Sequence, residues 1–249
     1  MNAIFKFVFL NLLLLVNPYS IAIAADPGAS PLFSGNPFLP ENENTRLKGV
    51  HILSVDDQAF PDDLKIDLKR IIAERKKNCY LKTTASRNQQ VKNTIKAKKL
   101  ERTSKANFRQ TVSEKEQLIK SKLALNVQSL TNTPLSKSNL IDIETAGALN
   151  NSSWSGVSRL FEDGVFGSII LTEDDFSLHG GAVIFATELV NTSINGNAGI
   201  LTLEINPGGE PYTTLQWVAS NKSYELRVAV DASKGEYLKM LITLAESLY

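Results

Sequence analysis

The stretch Ser223-Tyr224-Glu225-Leu226-Arg227-Val228-Ala229-Val230 decides the fold class. In an extended chain successive side chains point to opposite faces, so Tyr224, Leu226, Val228 and Val230 share one face while Glu225 and Arg227 share the other. This period of two predicts a strand with one side turned to a core. Upstream, the turn Ser220-Asn221-Lys222 separates it from the run Tyr212 to Ala219, and Asn206-Pro207-Gly208-Gly209 separates that run from Ala198 to Ile205, where Leu201, Leu203 and Ile205 repeat the alternation. Connections this short imply antiparallel neighbours. Further upstream lie the runs Trp154 to Phe161, Val165 to Thr172 and Ala182 to Val190, punctuated by Glu162-Asp163-Gly164 and Glu173-Asp174-Asp175. Downstream, Ser233 with Glu236 three residues later has the form of a capping box, and Tyr237, Leu238, Leu241, Ile242, Ala245 and Leu248 form one helical stripe over Ser233 to Ser247. A one-faced sheet and a one-striped helix cover each other. The reading is an α+β domain over residues 136–249, an antiparallel β-meander sheet packed by a C-terminal helix and preceded by a basic helical arm.

That arm is conspicuous in the charge distribution. The net charge of +1 over 249 residues hides a split: residues 64–122 hold 18 Lys and Arg against 5 Asp and Glu, residues 123–249 hold 6 against 14, and residues 1–63 hold 3 against 7. Residues 50–130 read as a basic helical region. It opens with the apolar run Val50-His51-Ile52-Leu53, and a helix follows from Asp62 to about Asn78. Pro61, Asp62 and Asp63 favour its start, and Leu64, Ile66, Leu68, Ile71 and Ile72 supply its apolar set. No Gly or Pro occurs from Asn78 to Asn132, which suits further helices, of which Ser113 to Val127 is the clearest. The apolar residues between Lys82 and Lys122 are sparse, which predicts an extended arm rather than a second core.

The first 24 residues have the form of a signal peptide. Lys6 provides the positive end, Phe7 to Val16 an apolar run interrupted by Asn11, and Ala22-Ile23-Ala24 a small-x-small cleavage pattern. An apolar run of about ten residues is too short for a bilayer core that needs about 20. The expectation is an exported protein, periplasmic or secreted, with no transmembrane span after cleavage. Residues 25–49, rich in Pro, Gly, Asn and Ser, read as a flexible lead-in.

Several chemistries are disfavoured. Two histidines, His51 and His179, stand far apart, and no H-E-x-x-H, Cys/His cluster or calcium loop occurs. Neither a G-x-S-x-G elbow nor an S-x-x-K pair is present, and no Gly-rich phosphate loop is found. No catalytic residue, metal site or cofactor is implied. Glu173-Asp174-Asp175 could offer oxygen ligands to a cation, though such a run is ordinarily a solvated turn. Cys79 is the one cysteine, so no intramolecular disulfide can form; the cations around it would favour the thiolate, for a reactive thiol or an intermolecular disulfide, but the preferred reading is a half-buried helix residue beside Tyr80.

The remaining candidates are cations. Lys76, Lys77, Lys92, Lys96, Lys98 and Lys99 form the densest part of the basic region and would attract polyanions in a salt-sensitive way. For an exported chain the partners would be an anionic envelope polymer, a lipid surface or an acidic protein. Only Tyr80 and Phe108 could stack on bases there, which disfavours sequence-specific nucleic acid. The acidic C-terminal domain could equally neutralise the arm internally, and both readings stand.

Asn195-Gly196-Asn197-Ala198-Gly199-Ile200-Leu201, Thr214-Leu215-Gln216-Trp217, Tyr224-Glu225-Leu226 and Leu238 to Leu248 together resemble a domain of bacterial exported lipoproteins and envelope-associated regulators. That resemblance implies an envelope accessory or sensor module that binds something, with no catalytic apparatus to carry over. The function expected is an exported non-enzymatic accessory or binding protein of the cell envelope; the alternative is a small exported hydrolase or thiol enzyme.

Overall fold

The computed structural model describes residues 49–83, 87–104 and 112–248. The expected leader over 1–24 and the lead-in up to residue 48 lie outside the described residues. In chain order the elements are β1 (Gly49–Leu53), α1 (Asp62–Asn78), β2 (Leu81–Lys82), α2 (Arg87–Ser104), α3 (Val112–Lys120), β3 (Asn139–Asn150), β4 (Ser153–Asp163), β5 (Gly167–Asp175), β6 (Ala182–Ala186), β7 (Thr192–Ile194), β8 (Asn197–Ile205), β9 (Pro211–Ala219), β10 (Lys222–Val228) and α4 (Gly235–Glu246). The architecture is α+β with a mostly antiparallel main sheet in the order β2-β8-β9-β10-β5-β4-β3, and β7 also pairs β8.

The meander is double rather than single. β3-β4-β5 and β8-β9-β10 are each meanders, and β10 joins them by pairing antiparallel with β5. The β7–β8 hairpin turns on Asn195 and Gly196, both at positive φ (47° and 82°), the conformation that an Asn-Gly pair adopts at least cost. β3 was not anticipated in the sequence reading. It carries bulges between Leu140 and Asp142 and between Ala146 and Leu149. At Gly147 (φ 74°) a Cβ would lie 2.1 Å from the Asp174 carboxylate, so this left-handed position in the second bulge, packed against that side chain, favours glycine.

The alternation in β10 is realised in its cross-strand pairs. Leu226 stands opposite Leu215 and Leu171, and Tyr224 opposite Trp217 and Glu173. The Trp217 and Tyr224 rings stack at 5.1 Å between centroids. Helix α4 covers this face with Leu241, Leu244 and Ala245, joined by Leu248 just beyond its end, all buried against Leu215, Trp217 and Leu226. Burying each such leucine is worth about 1.5–3 kcal/mol. The helix begins at Gly235, after the expected cap: Ser233 Oγ donates to Asp231 Oδ1 instead, so the capping box is not formed.

The sheet's second face is covered as well, by residues that precede the expected arm over 82–122. β1 pairs parallel with β6, and α1 lays Leu68, Ile71 and Ile72 against Val183 to Ala186 and against Ile200 and Val218 of the sheet. Ile66, two residues off that stripe, is exposed. Arg75 ties α1 down by donating to the carbonyls of Leu201 (2.9 Å) and Leu189 (3.4 Å). β2 adds to the sheet edge in parallel with β8. Helix α3 ends at Lys120, short of the expected Val127, because the chain turns there to place Leu123 beside Trp154; Ile119 and Leu125 then pack on Ile143 and Val157.

Beneath the segment that follows α3 lies a buried ion pair. Arg159 and Glu173 are in contact, Arg159 at 3% and Glu173 at 0% exposure. Arg159 Nη1 donates to the Gln128 carbonyl and the Gln128 N–H to Glu173 Oε2, each at 3.1 Å, while Lys222 Nζ donates to the Asn126 carbonyl. Burial pushes Arg159 down to about 10, still protonated at neutral pH. Removing one member leaves a charge stranded in the interior. Glu173→Gln should therefore cost about 3–5 kcal/mol in urea unfolding, and the double change Arg159→Met with Glu173→Leu should recover most of it.

Candidate polyanion-binding site

The basic sequence of α2 is laid over the sheet by side-chain pattern. Val91, Thr94, Ile95 and Lys98, spaced at three and four residues, face inward, with Ile95 buried; Lys92, Asn93, Lys96, Ala97 and Lys99 are exposed. Lys98 Nζ reaches Asp142 at 2.7 Å and Glu144 at 3.5 Å, Lys99 reaches both oxygens of Glu162 at 2.7 Å, and Lys92 reaches Glu210 at 3.7 Å. The helix thus runs from the start of β9 to β3, about 19 Å across four strand spacings. Lys92 to Lys99 spans only about 10 Å of helix, and the long lysine stems cover the remainder.

Three of the six predicted cations, Lys92, Lys98 and Lys99, are therefore held by carboxylates of the acidic domain. Lys76 and Lys77 in the last turn of α1, and Lys96 on α2, are exposed with no acidic partner among the described residues. The structure does not gather the six into one patch; it divides them into a paired set and an open set. The carboxylates that hold them were missed in the sequence. Asp142 and Glu144 alternate with Ile141 and Ile143, a period-two signal that places both carboxylates in β3.

Lys99 holds the Glu162 carboxyl below its usual value of 4.5, chiefly by its hydrogen bond and also by its charge, with burial opposing and Asn139 assisting. Ion pairs this exposed are worth about 0–1 kcal/mol each and weaken with salt. A carboxylate with a lowered folded value stabilises fully above its unfolded value. The contribution is lost as pH falls through the folded one.

Cys79 is exposed, which corrects the half-buried helix reading. It sits at the C-cap of α1 with φ 62°, its N–H donating to the Arg75 carbonyl at 2.8 Å, a left-handed position where glycine is usual. Glu173-Asp174-Asp175 do not converge. Glu173 is buried with Arg159, Asp174 Oδ1 accepts from Ser155 Oγ at 2.5 Å, and Asp175 caps the short turn Phe176–His179 through Ser177. The His179 side chain lies outside the described residues. Among the described residues no group of three or more His, Cys, Asp or Glu could hold a metal ion, and no helix is long and apolar enough to cross a membrane.

No protein family and no curated protein matches the chain. One solved structure, a GTP binding regulator from Thermotoga maritima, aligns at 14% identity over 45% of this chain and 81% of its own, with a TM-score of 0.27, a likeness too slight to carry an argument.

Two outcomes are expected. In a carboxyl NMR titration Glu162 should titrate below 4.5 and return toward it in Lys99→Gln. In urea unfolding Cys79→Gly should stabilise by about 0.5 kcal/mol, since it relieves a left-handed Cβ at the cost of a freer unfolded chain, whereas Cys79→Ala should not.

Proposed function

We propose that this chain is an exported, non-enzymatic accessory or binding protein of a bacterial envelope that presents lysines to an anionic partner. The observation that carries the reading is that Lys76, Lys77 and Lys96 stand exposed and without acidic partners among the described residues, although the sheet domain is acidic and engages the lysines around Lys96. A cation left open beside available carboxylates is free to bind an external anion. The leader-like residues 1–24 support export, and the resemblance of the C-terminal strands to envelope modules supports the setting. Among the described residues the outer side of α2 (Lys92, Asn93, Lys96, Ala97, Lys99) has no large apolar residue to insert into a bilayer, which favours an anionic polymer over a lipid surface.

A second reading, a thiol enzyme, is supported by the exposure of Cys79 amid cations. Turnover by the purified protein that disappears in Cys79→Ala would establish it in place of the first.

The leading reading is tested by binding to inorganic polyphosphate, lipopolysaccharide and anionic vesicles. Affinity for the polymer should fall on the order of tenfold or more between 50 and 200 mM salt, and the triple variant Lys76→Gln, Lys77→Gln, Lys96→Gln should weaken it without changing the unfolding midpoint. Salt-insensitive binding, or binding unchanged in the triple variant, would count against it.

A further inference from the structure

We infer that α2 is an electrostatic cover that a phosphate polymer lifts from the sheet, exposing an acidic strand face. The inference rests on the anionic-polymer reading above and extends it from static binding to exchange. Three observations lead to it.

The first is what holds α2 in place. Its described inner face buries one large apolar side chain, Ile95; the other named attachments are Lys98 to Asp142 and Glu144, Lys99 to Glu162, and Lys92 to Glu210. Helix α4 on the opposite face is held instead by Leu241, Leu244, Ala245 and Leu248, whose burial does not respond to charge competitors. Among the described residues the attachment is thus mainly ionic, and its outer pairs, Lys99 to Glu162 and Lys92 to Glu210, are exposed enough for salt and polyanions to compete them away.

The second is that docking and polymer binding need the same atoms. With the helix down, the Lys98 and Lys99 ammonium groups lie 2.7 Å from carboxylate oxygens, and Asp142, Glu144, Glu162 and Glu210 would repel approaching phosphates. With the helix up, Lys92, Lys96 and Lys99, spaced at four and three residues on one side, can meet one chain of phosphates clear of those carboxylates, and the inward Lys98 is released as well. The polymer therefore binds the released state with more contacts and less repulsion, and that differential affinity is what shifts a population.

The third is the surface underneath. Cross-strand pairs place Asp142, Leu160, Ile170, Arg227, Thr214 and Thr202 in one row across this face, and Ser158, Thr172, Glu225 and Gln216 lie in the adjacent row. Gln216 Nε2 donates to Glu225 Oε2 at 2.6 Å, Arg227 is in contact with Glu225, and the buried Thr214 hydroxyl has no hydrogen-bond partner among the described residues. Water can solvate such a face, so uncovering it strands fewer groups than uncovering the Trp217 side would.

The test follows amide hydrogen exchange in α2 and α4 of the purified protein while polymer binding is measured on the same samples. Saturating inorganic polyphosphate should accelerate exchange over residues 90–99 by about tenfold or more and leave 235–246 unchanged, and 1 M salt alone should release α2 in the same way. The double variant Glu162→Gln, Glu210→Gln, with α4 protection as the check on folding, should speed α2 exchange without polymer and tighten polyphosphate binding several-fold. Binding with α2 protection unchanged would overturn the cover and leave the binding function standing; absence of binding would overturn both. Release by phosphatidylglycerol vesicles but not by polyphosphate would overturn the assignment to a phosphate polymer.

Discussion

The pairing of β5 with β10, from Lys222 opposite Asp175 to Val228 opposite Ile169, is the constraint on which the rest of the molecule depends. Without it the sheet would divide into the three strands β3-β4-β5 and a second piece of β2, β7, β8, β9 and β10. With it, Leu171 and Leu226 become neighbours under α4, and Glu173 is carried beside Tyr224 with Arg159 one strand further along. The buried Arg159–Glu173 pair then anchors residues 126–128 over the junction, so that a stretch with no helix or strand of its own is nonetheless fixed.

The two faces of that sheet are held by different forces. One is closed by apolar burial, which is non-directional and indifferent to ions. On the other, α1 and β1 pack apolar residues over Ile200 and Val218 while α2 lies on polar rows through lysine–carboxylate contacts. The sign of the charge on α2 and on β3 and β4 thus has a structural meaning before any partner is considered. The near-neutral total of +1 is the sum of opposed surfaces that meet within the molecule.

The fold was legible in sequence wherever local pattern and tertiary role agree. The period of two in Tyr224-Glu225-Leu226-Arg227-Val228 and the turns flanking it located β8 to β10, and Pro61 with Asp62 and Asp63 located the start of α1. Reading failed where a long-range contact overrides the local signal. Ser233 and Glu236 have the spacing of a capping box, yet Gly235 at φ 66° starts the helix after Ser233 has bonded Asp231. β3 escaped because its apolar positions are interrupted by two bulges, each of which shifts the alternation by a residue. For the candidate site, the sequence located the cations but not which were already engaged. Lys96 and Lys99 look alike in sequence, and only the distance from Glu162 separates them.

The N-terminal strands carry one further consequence. β1 has its hydrogen-bonding partner at residues 182–186 and β2 at residues 204–205, so these two strands cannot complete their pairing until much of the later sequence exists. Contacts of such sequence separation form slowly, because loop closure must precede them. During synthesis β1 and β2 have no strand to pair with before residues 182–205 have emerged. A ribosome would release an open thread that closes only when its last third arrives, the state in which a polypeptide is easiest to pass through a narrow channel before it folds.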